Sequence, residues 1–109
     1  MGGCGVSTGE INPWFPEQDQ LRLAVLGKLI EECNELSARA ARCIIQGVAE
    51  RDPASGLPNL FELEKEAADV LACIAIAGES LGFTPSPSRM LDKRTGYRQW
   101  HRMIRTPAE

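Results

Sequence analysis

Apolar side chains recur along this chain at three- and four-residue intervals, and nowhere do they alternate with polar ones, so the pattern predicts helices and no strands. Leu21, Val25, Leu29, Leu36, Ala40 and Cys43 form one stripe, the signature of a helix with a single buried face. Pro16 suits its first turn and Gly47 its end, giving a helix from about Pro16 to Gln46. A second stripe, Leu60, Leu63, Ala67, Val70, Ile74, Ala77 and Leu81, lies between a capping pair, Asn59 with Glu62, and a stop at Gly82. Ser86 and Pro87 offer a cap and first turn for a shorter third helix ending near Ile104. Met90, Tyr97, Trp100 and Ile104 share one of its faces, and Gly96 weakens its middle. Between the first two helices, VAERDPASGLP is rich in turn formers and has neither periodicity, which makes it a polar loop.

The class is therefore all-α: two long antiparallel helices plus a shorter C-terminal helix. Ala67, Ala68, Ala72, Ala75 and Ala77 make the second helix apolar on more than one side. Three helices cannot seal all of that surface, so a helix bundle completed by oligomerisation, as a homodimer or homotetramer, is expected. A chain of 109 residues is one domain, here 17–105, with a flexible segment 1–16 before it and a short tail 106–109 after it.

Composition excludes some classes. No apolar run approaches the roughly 18 residues a membrane span requires, and MGGCGVSTGE lacks the basic start and long apolar stretch of a signal peptide. A cytoplasmic protein is expected. The cysteines Cys4, Cys33, Cys43 and Cys73 form no CxxC pair and His101 is the single histidine, so a zinc site has little support. Cys33, Cys43 and Cys73 read as reduced thiols filling a core, with a disulfide between helices as the alternative. Charge is uneven: residues 17–82 hold twelve acidic and six basic side chains, residues 85–105 six basic and one acidic. The basic end suits nucleic acid or a phosphate ligand. The acidic remainder disfavours broad contact with a polyanion, so no nucleic acid polymer is expected as partner.

Two interruptions of the apolar pattern carry the chemistry. Glu32 falls inside the first stripe between Leu29 and Leu36, with Glu35 three residues on; Glu66 and Asp69 repeat the spacing beside Leu63 and Val70. Four carboxylates on surfaces that must pack together repel one another and resist burial. A hard divalent cation, Mg²⁺ or Mn²⁺, resolves the conflict, because oxygen-only ligands without histidine suit those ions. The plainer reading makes helical glutamates solvated surface charges, and Glu31, Glu62 and Glu64 are read that way, with Lys65 as a local partner. For one ExxE or ExxD the plainer reading wins. For a pair on successive helices beside both stripes, the metal reading leads.

The strings KLIEECNELSARAARCI and LEKEAADVLACI, which contain Glu32-Cys33-Asn34-Glu35 and Glu66-Ala67-Ala68-Asp69, resemble the MazG-like nucleotide pyrophosphohydrolases, a branch of the all-α NTP pyrophosphatase superfamily. The resemblance spans about residues 21–82 and extends more faintly into the third helix. It implies hydrolysis of a nucleoside triphosphate between the α and β phosphates, giving NMP or dNMP and pyrophosphate. It also implies that Glu32, Glu35, Glu66 and Asp69 hold the metal, with Glu32 or Glu35 as the base that orients water. Positive charge for the pyrophosphate is expected first from Lys93, which shares a helix side with Met90, Tyr97 and Trp100, and next from Arg94. Lys28 is a third candidate, although a helical salt bridge to Glu31 or Glu32 is the simpler reading. Trp14 and Phe15 either stack on the base or pack the chain entry against the core. Trp100 is expected in the core or an interface, with His101 exposed beside it. The alternatives are phosphoribosyl-ATP pyrophosphatase activity and a non-catalytic helical module whose basic third helix binds a partner.

Overall fold

Three helices follow one another in the computed structural model, which describes residue 11 and residues 13–105: α1 (Gln20–Gln46), α2 (Asn59–Leu81) and α3 (Pro87–Arg105). The segment 1–10, with Cys4, and the tail 106–109 lie outside the described residues. Periodicity and stop signals located three of the boundaries. Gly47, at φ +94°, ends α1, and Gly82, at φ +84°, ends α2. The Ser86 hydroxyl accepts from the Arg89 backbone N–H at 3.2 Å, capping α3.

Both other helix starts differ from expectation. Asp19 caps α1 by accepting from the Arg22 N–H at 2.9 Å, so the helix begins four residues beyond Pro16. A side chain that satisfies an orphan amide outweighs the fixed φ of proline as a start signal. Pro58 is the N-cap of α2 and makes no side-chain cap. Asn59 is already helical, and the expected Asn59–Glu62 capping pair does not form, because the Asn59 amide is used elsewhere.

The eleven-residue loop is folded on itself rather than loose. Arg51 and Pro58 form an isolated antiparallel bridge, and the Gly56 N–H donates to the Asp52 carbonyl at 2.8 Å. No strand forms among the described residues. This loop returns α2 along α1, and the two stripes meet: Val25, Leu29, Leu36, Ala40 and Cys43 face Leu63, Ala67, Val70, Ile74 and Ala77.

Seen alone, the hairpin has a thin core. Among the described hydrophobic residues only Val70 and Ala77 are buried, while Leu71 and Ile76 of α2 and Ile30 and Ile44 of α1 stand more than half exposed. Cys43 and Cys73 are half-buried free thiols, whereas Cys33 is exposed and fills no core. No described helix is long and apolar enough to cross a membrane.

Helix α3 packs on neither α1 nor α2. Its face of Met90, Tyr97, Trp100 and Ile104 is more than half exposed, so the bundle that this face was expected to join is not formed within one copy. The radius of gyration, 19.1 Å, exceeds the ~13 Å of a compact domain of about 100 residues.

Candidate metal centre

Glu32 is carried onto the packed face of α1 by the same periodicity that places Leu29 and Leu36 there, and its side chain is 12% exposed. Glu66 is half-buried on the facing side of α2, and Asp69 follows it by three residues. Carboxylate oxygens of Glu32, Glu66 and Asp69 lie within 4.8 Å of one another, and the same holds for Glu31, Glu32 and Glu35. Glu32 belongs to both groups. The structure thus brings three of the four sequence-predicted carboxylates, Glu32, Glu66 and Asp69, together across the two helices, whereas Glu35 groups with Glu32 and with Glu31 along α1 alone; Glu31, which the sequence placed on the solvated surface, remains exposed.

Two oxygens inside this cluster, Glu32 Oε2 and Glu66 Oε2, are buried without a hydrogen-bond partner. Such atoms are rare, since an unsatisfied buried polar group costs about 1–3 kcal/mol and more when charged. Repulsion is visible in Glu35, whose carboxyl is raised above its ordinary value first by the Glu32 charge, then by burial, then by Glu66 and Glu31. Lys28 supplies part of the compensation. Its ammonium sits 2.8 Å from Glu31 Oε1 and 3.5 Å from Glu32 Oε1, and the hydrogen bond to Glu31 chiefly raises its pKa. That is the helical salt bridge foreseen as the simpler role of Lys28.

A cavity opens on each side of the cluster. An apolar groove of about 570 Å³ runs toward the start of α1, with Glu32, Lys28 and Asp69 at one end and Ala24, Ala72, Cys73, Ile76 and Ala77 along it. On the other side a polar pocket of about 210 Å³ is lined by Glu35, Ala38, Arg39, Arg42 and Glu66. Glu35, Arg39 and Arg42 follow a four-then-three spacing on α1, the usual spacing of one helix face, and that was the available signal for two cations the sequence reading did not select. Arg42 is half-buried and makes no hydrogen bond or ion pair among the described residues.

Arg39 is held differently. Its guanidinium donates to Asp52 Oδ2 at 2.9 Å and to Asn59 Oδ1 at 3.3 Å. Asp52, buried in the loop, also accepts from the Ala54 and Ser55 amides at 2.8 and 3.0 Å. The Arg39 hydrogen bond, followed by those two amides, lowers the Asp52 carboxyl to about 2. The fully buried Asn59 amide donates to the Gly47 carbonyl at 3.0 Å and to Gln46 Oε1 at 3.3 Å, which ties the end of α1 to the start of α2. Sequence reading missed this knot, because its members sit in a loop without periodicity.

Glu62 also departs from expectation. It is buried, not a surface charge, and although Lys65 Nζ approaches its Oε1 to 3.2 Å, that oxygen has no hydrogen bond of acceptable geometry. Lys93 and Arg94 lie on α3, which reaches neither long helix, so one copy does not bring them to the carboxylates. Lys93 instead lies 5.7 Å from the Tyr97 ring centroid. Trp14 and Phe15 are exposed and line neither cavity. Trp100 is exposed within one copy, with His101 tilted against its ring at 5.4 Å.

The donor set fits a hard divalent cation. All candidate ligands are carboxylates, two of their oxygens are buried and unpartnered, and the convergence of three acids from two helices leaves negative charge that Lys28 alone does not balance. Comparison with protein families, with curated proteins and with solved structures finds no match to this chain.

Proposed function

We propose that the chain is a metal-dependent nucleoside triphosphate pyrophosphohydrolase that cleaves between the α and β phosphates, as the MazG-like pattern implies. The observation carrying this reading is the meeting of Glu32, Glu66 and Asp69 within 4.8 Å, with buried unpartnered oxygens on Glu32 and Glu66. Asp52 is fully paired, and Glu62, whose Oε1 is also buried without a hydrogen bond, has the Lys65 ammonium 3.2 Å away; among the described residues Glu66 has no such cation beside it.

Glu32, Glu66 and Asp69 are the proposed ligands of Mg²⁺ or Mn²⁺, with Glu35 and Glu31 completing the negative field. Such an ion, when bound, would neutralise triphosphate charge and acidify a bound water. Glu35 is the proposed general base: it is exposed to solvent one turn from Glu32, whose charge raises its proton affinity above that of an ordinary carboxylate. Arg42, with no partner to surrender, is placed to contact phosphate oxygens in the polar pocket beside Glu35 and Glu66. Lys28 can hold a second phosphate by turning from Glu31, while Lys93 and Arg94 require another copy to approach. Trp14 and Phe15, exposed ahead of α1, are the proposed stacking surface for the base.

A panel of canonical and modified nucleoside triphosphates, with phosphoribosyl-ATP among them, scored by pyrophosphate released with Mg²⁺ or Mn²⁺, tests this. Metal-dependent release from at least one nucleoside triphosphate is expected. Release from phosphoribosyl-ATP alone would move the assignment to that activity. No release, together with no Mn²⁺ binding by calorimetry in the presence of a nonhydrolysable triphosphate, would leave the non-catalytic helical module as the reading to pursue.

A further inference from the structure

We propose that α3 of one copy lies in the α1–α2 groove of a second copy, reciprocally, so that Lys93 of each chain sits beside Glu32 and Asp69 of the other. Exposure, charge and linker geometry carry this inference, and its test reads association and cross-links rather than turnover, so its failure is distinguishable from failure of the catalytic reading.

Helix α3 has the pattern of a helix with a partner and the contacts of one without. Met90, Tyr97, Trp100 and Ile104 recur at helical spacing, as in a packed face, yet each is more than half exposed and the helix touches neither α1 nor α2. The groove shows the converse. Its walls of Ala24, Ala72, Cys73 and Ala77 are small enough to admit the side chains of another helix, and it stays open in the single copy. Charge selects the pairing: residues 85–105 carry six basic side chains and one acidic, against twelve acidic and six basic in residues 17–82. The lengths also agree. Glu32 to Ala24 spans about 12 Å of helix and Lys93 to Trp100 about 10 Å. With Lys93 at the acidic end, Trp100 falls at the apolar end.

The linker favours a second copy over a return to the chain's own groove. Gly82, at φ +84°, donates to the Gly78 carbonyl at 2.9 Å, and the Phe83 N–H donates to the same carbonyl at 3.0 Å, a glycine-terminated helix end with fixed exit direction. Phe83 packs so closely over Gly78 that a Cβ there would meet its carbonyl oxygen at 2.5 Å. Pro85 and Pro87 stiffen the rest. A helix held off its own hairpin by a stiff five-residue connection, and complementary to that hairpin in charge and polarity, can be satisfied by reciprocal exchange about a two-fold axis.

The test uses the full chain. Unlabelled and heavy-isotope-labelled protein are mixed in equal amounts, equilibrated, joined by zero-length carbodiimide cross-linking, and mapped by mass spectrometry. Lys93 cross-linked to Glu32 or Asp69 in mixed-isotope pairs is expected. In sedimentation velocity, Lys93→Glu and Trp100→Ala are each expected to weaken a dimer about tenfold or more, with unchanged far-UV circular dichroism, since α3 supports nothing in its own hairpin. Cross-links confined to single-isotope pairs would show α3 folding back on its own chain and overturn the proposal. So would a monomer up to about 100 μM, or a dimer indifferent to both substitutions.

Discussion

Glu32 and Arg39 stand two turns apart on the same packed side of α1, yet the polar groups around them are resolved in opposite ways. Around Arg39, Asp52 and Asn59, each of the three side chains is hydrogen-bonded, and the charges are of opposite sign at 2.9 Å. Around Glu32 the groups are almost all acids, crowded within 4.8 Å, and two buried oxygens have no partner. The first arrangement is complete in the folded chain. The second stores repulsion that a cation, or loss of one of the negative charges, would discharge. Satisfaction of polar groups, rather than burial or conspicuous charge, therefore separates the part of this interface that holds the hairpin together from the part suited to a ligand.

The sharpest way to break that contrast is to remove one acid of the α2 pair. Asp69→Asn or Glu66→Gln should lower metal-dependent pyrophosphate release by about 100-fold or more, since even groups behind a metal ligand commonly matter by 10- to 100-fold. Far-UV circular dichroism should not change. Turnover near the unsubstituted rate in either variant would take that residue out of the site.

Next in size is the paired cluster. Asn59→Ala removes the amide that joins the Gly47 carbonyl, Gln46 and Arg39, and should destabilise the fold by about 2–3 kcal/mol in urea unfolding. Metal affinity should be little altered, because Asn59 contacts none of the acids. A loss of metal binding as large as the loss of stability would mean that the two clusters act as one.

Sequence made these clusters legible to very different degrees. The acids stood out because Glu32 interrupts an apolar stripe and Glu66–Asp69 repeats its spacing, and helical periodicity converts such spacing into shared space. The same logic gave the three helices and their glycine stops. It failed at Asn59, read as a local cap although its amide reaches across to the end of α1, and at Asp52, whose partners come from a loop and from the opposite helix. It failed again at Glu62, which is buried although its local pattern is that of an N-terminal surface acid. Contacts within one helix are written in spacing, whereas contacts between a loop and a helix depend on where the chain turns. The face of Met90, Tyr97 and Trp100 was recognised as a packing face, but its partner could not be read from periodicity.

A smaller effect of opposite sign is expected when an acid is neutralised without metal present. Glu66→Gln exchanges a half-buried carboxylate with one buried, unpartnered oxygen for a neutral amide and should raise stability by about 1 kcal/mol in chelator. Added Mn²⁺ should raise the melting temperature of the unsubstituted protein and not that of the variant. A variant less stable than its parent in chelator would show that Glu66 is a structural acid after all.

The gentlest probe of the contrast is pH, because the two clusters should bend the stability curve in opposite directions. Asp52 has its carboxyl lowered from 3.8 to about 2, so its contribution is present above pH 3.8 and is lost as pH falls through about 2. Glu35 is raised above 4.5, first by the Glu32 charge. Its contribution is full below pH 4.5 and is lost as pH rises through the folded-state value, where ionisation is opposed by the neighbouring acids. Melting curves taken in chelator should therefore show the Asp52→Asn deficit shrinking as acid is added, while the advantage of Glu35→Gln grows as the solution is made less acidic. Exposure of Glu35 to solvent keeps the second slope shallow. Mn²⁺ should flatten it further, because a bound cation replaces the repulsion felt by the ionised carboxylate with attraction; a slope steepened by Mn²⁺ would place the ion away from these acids.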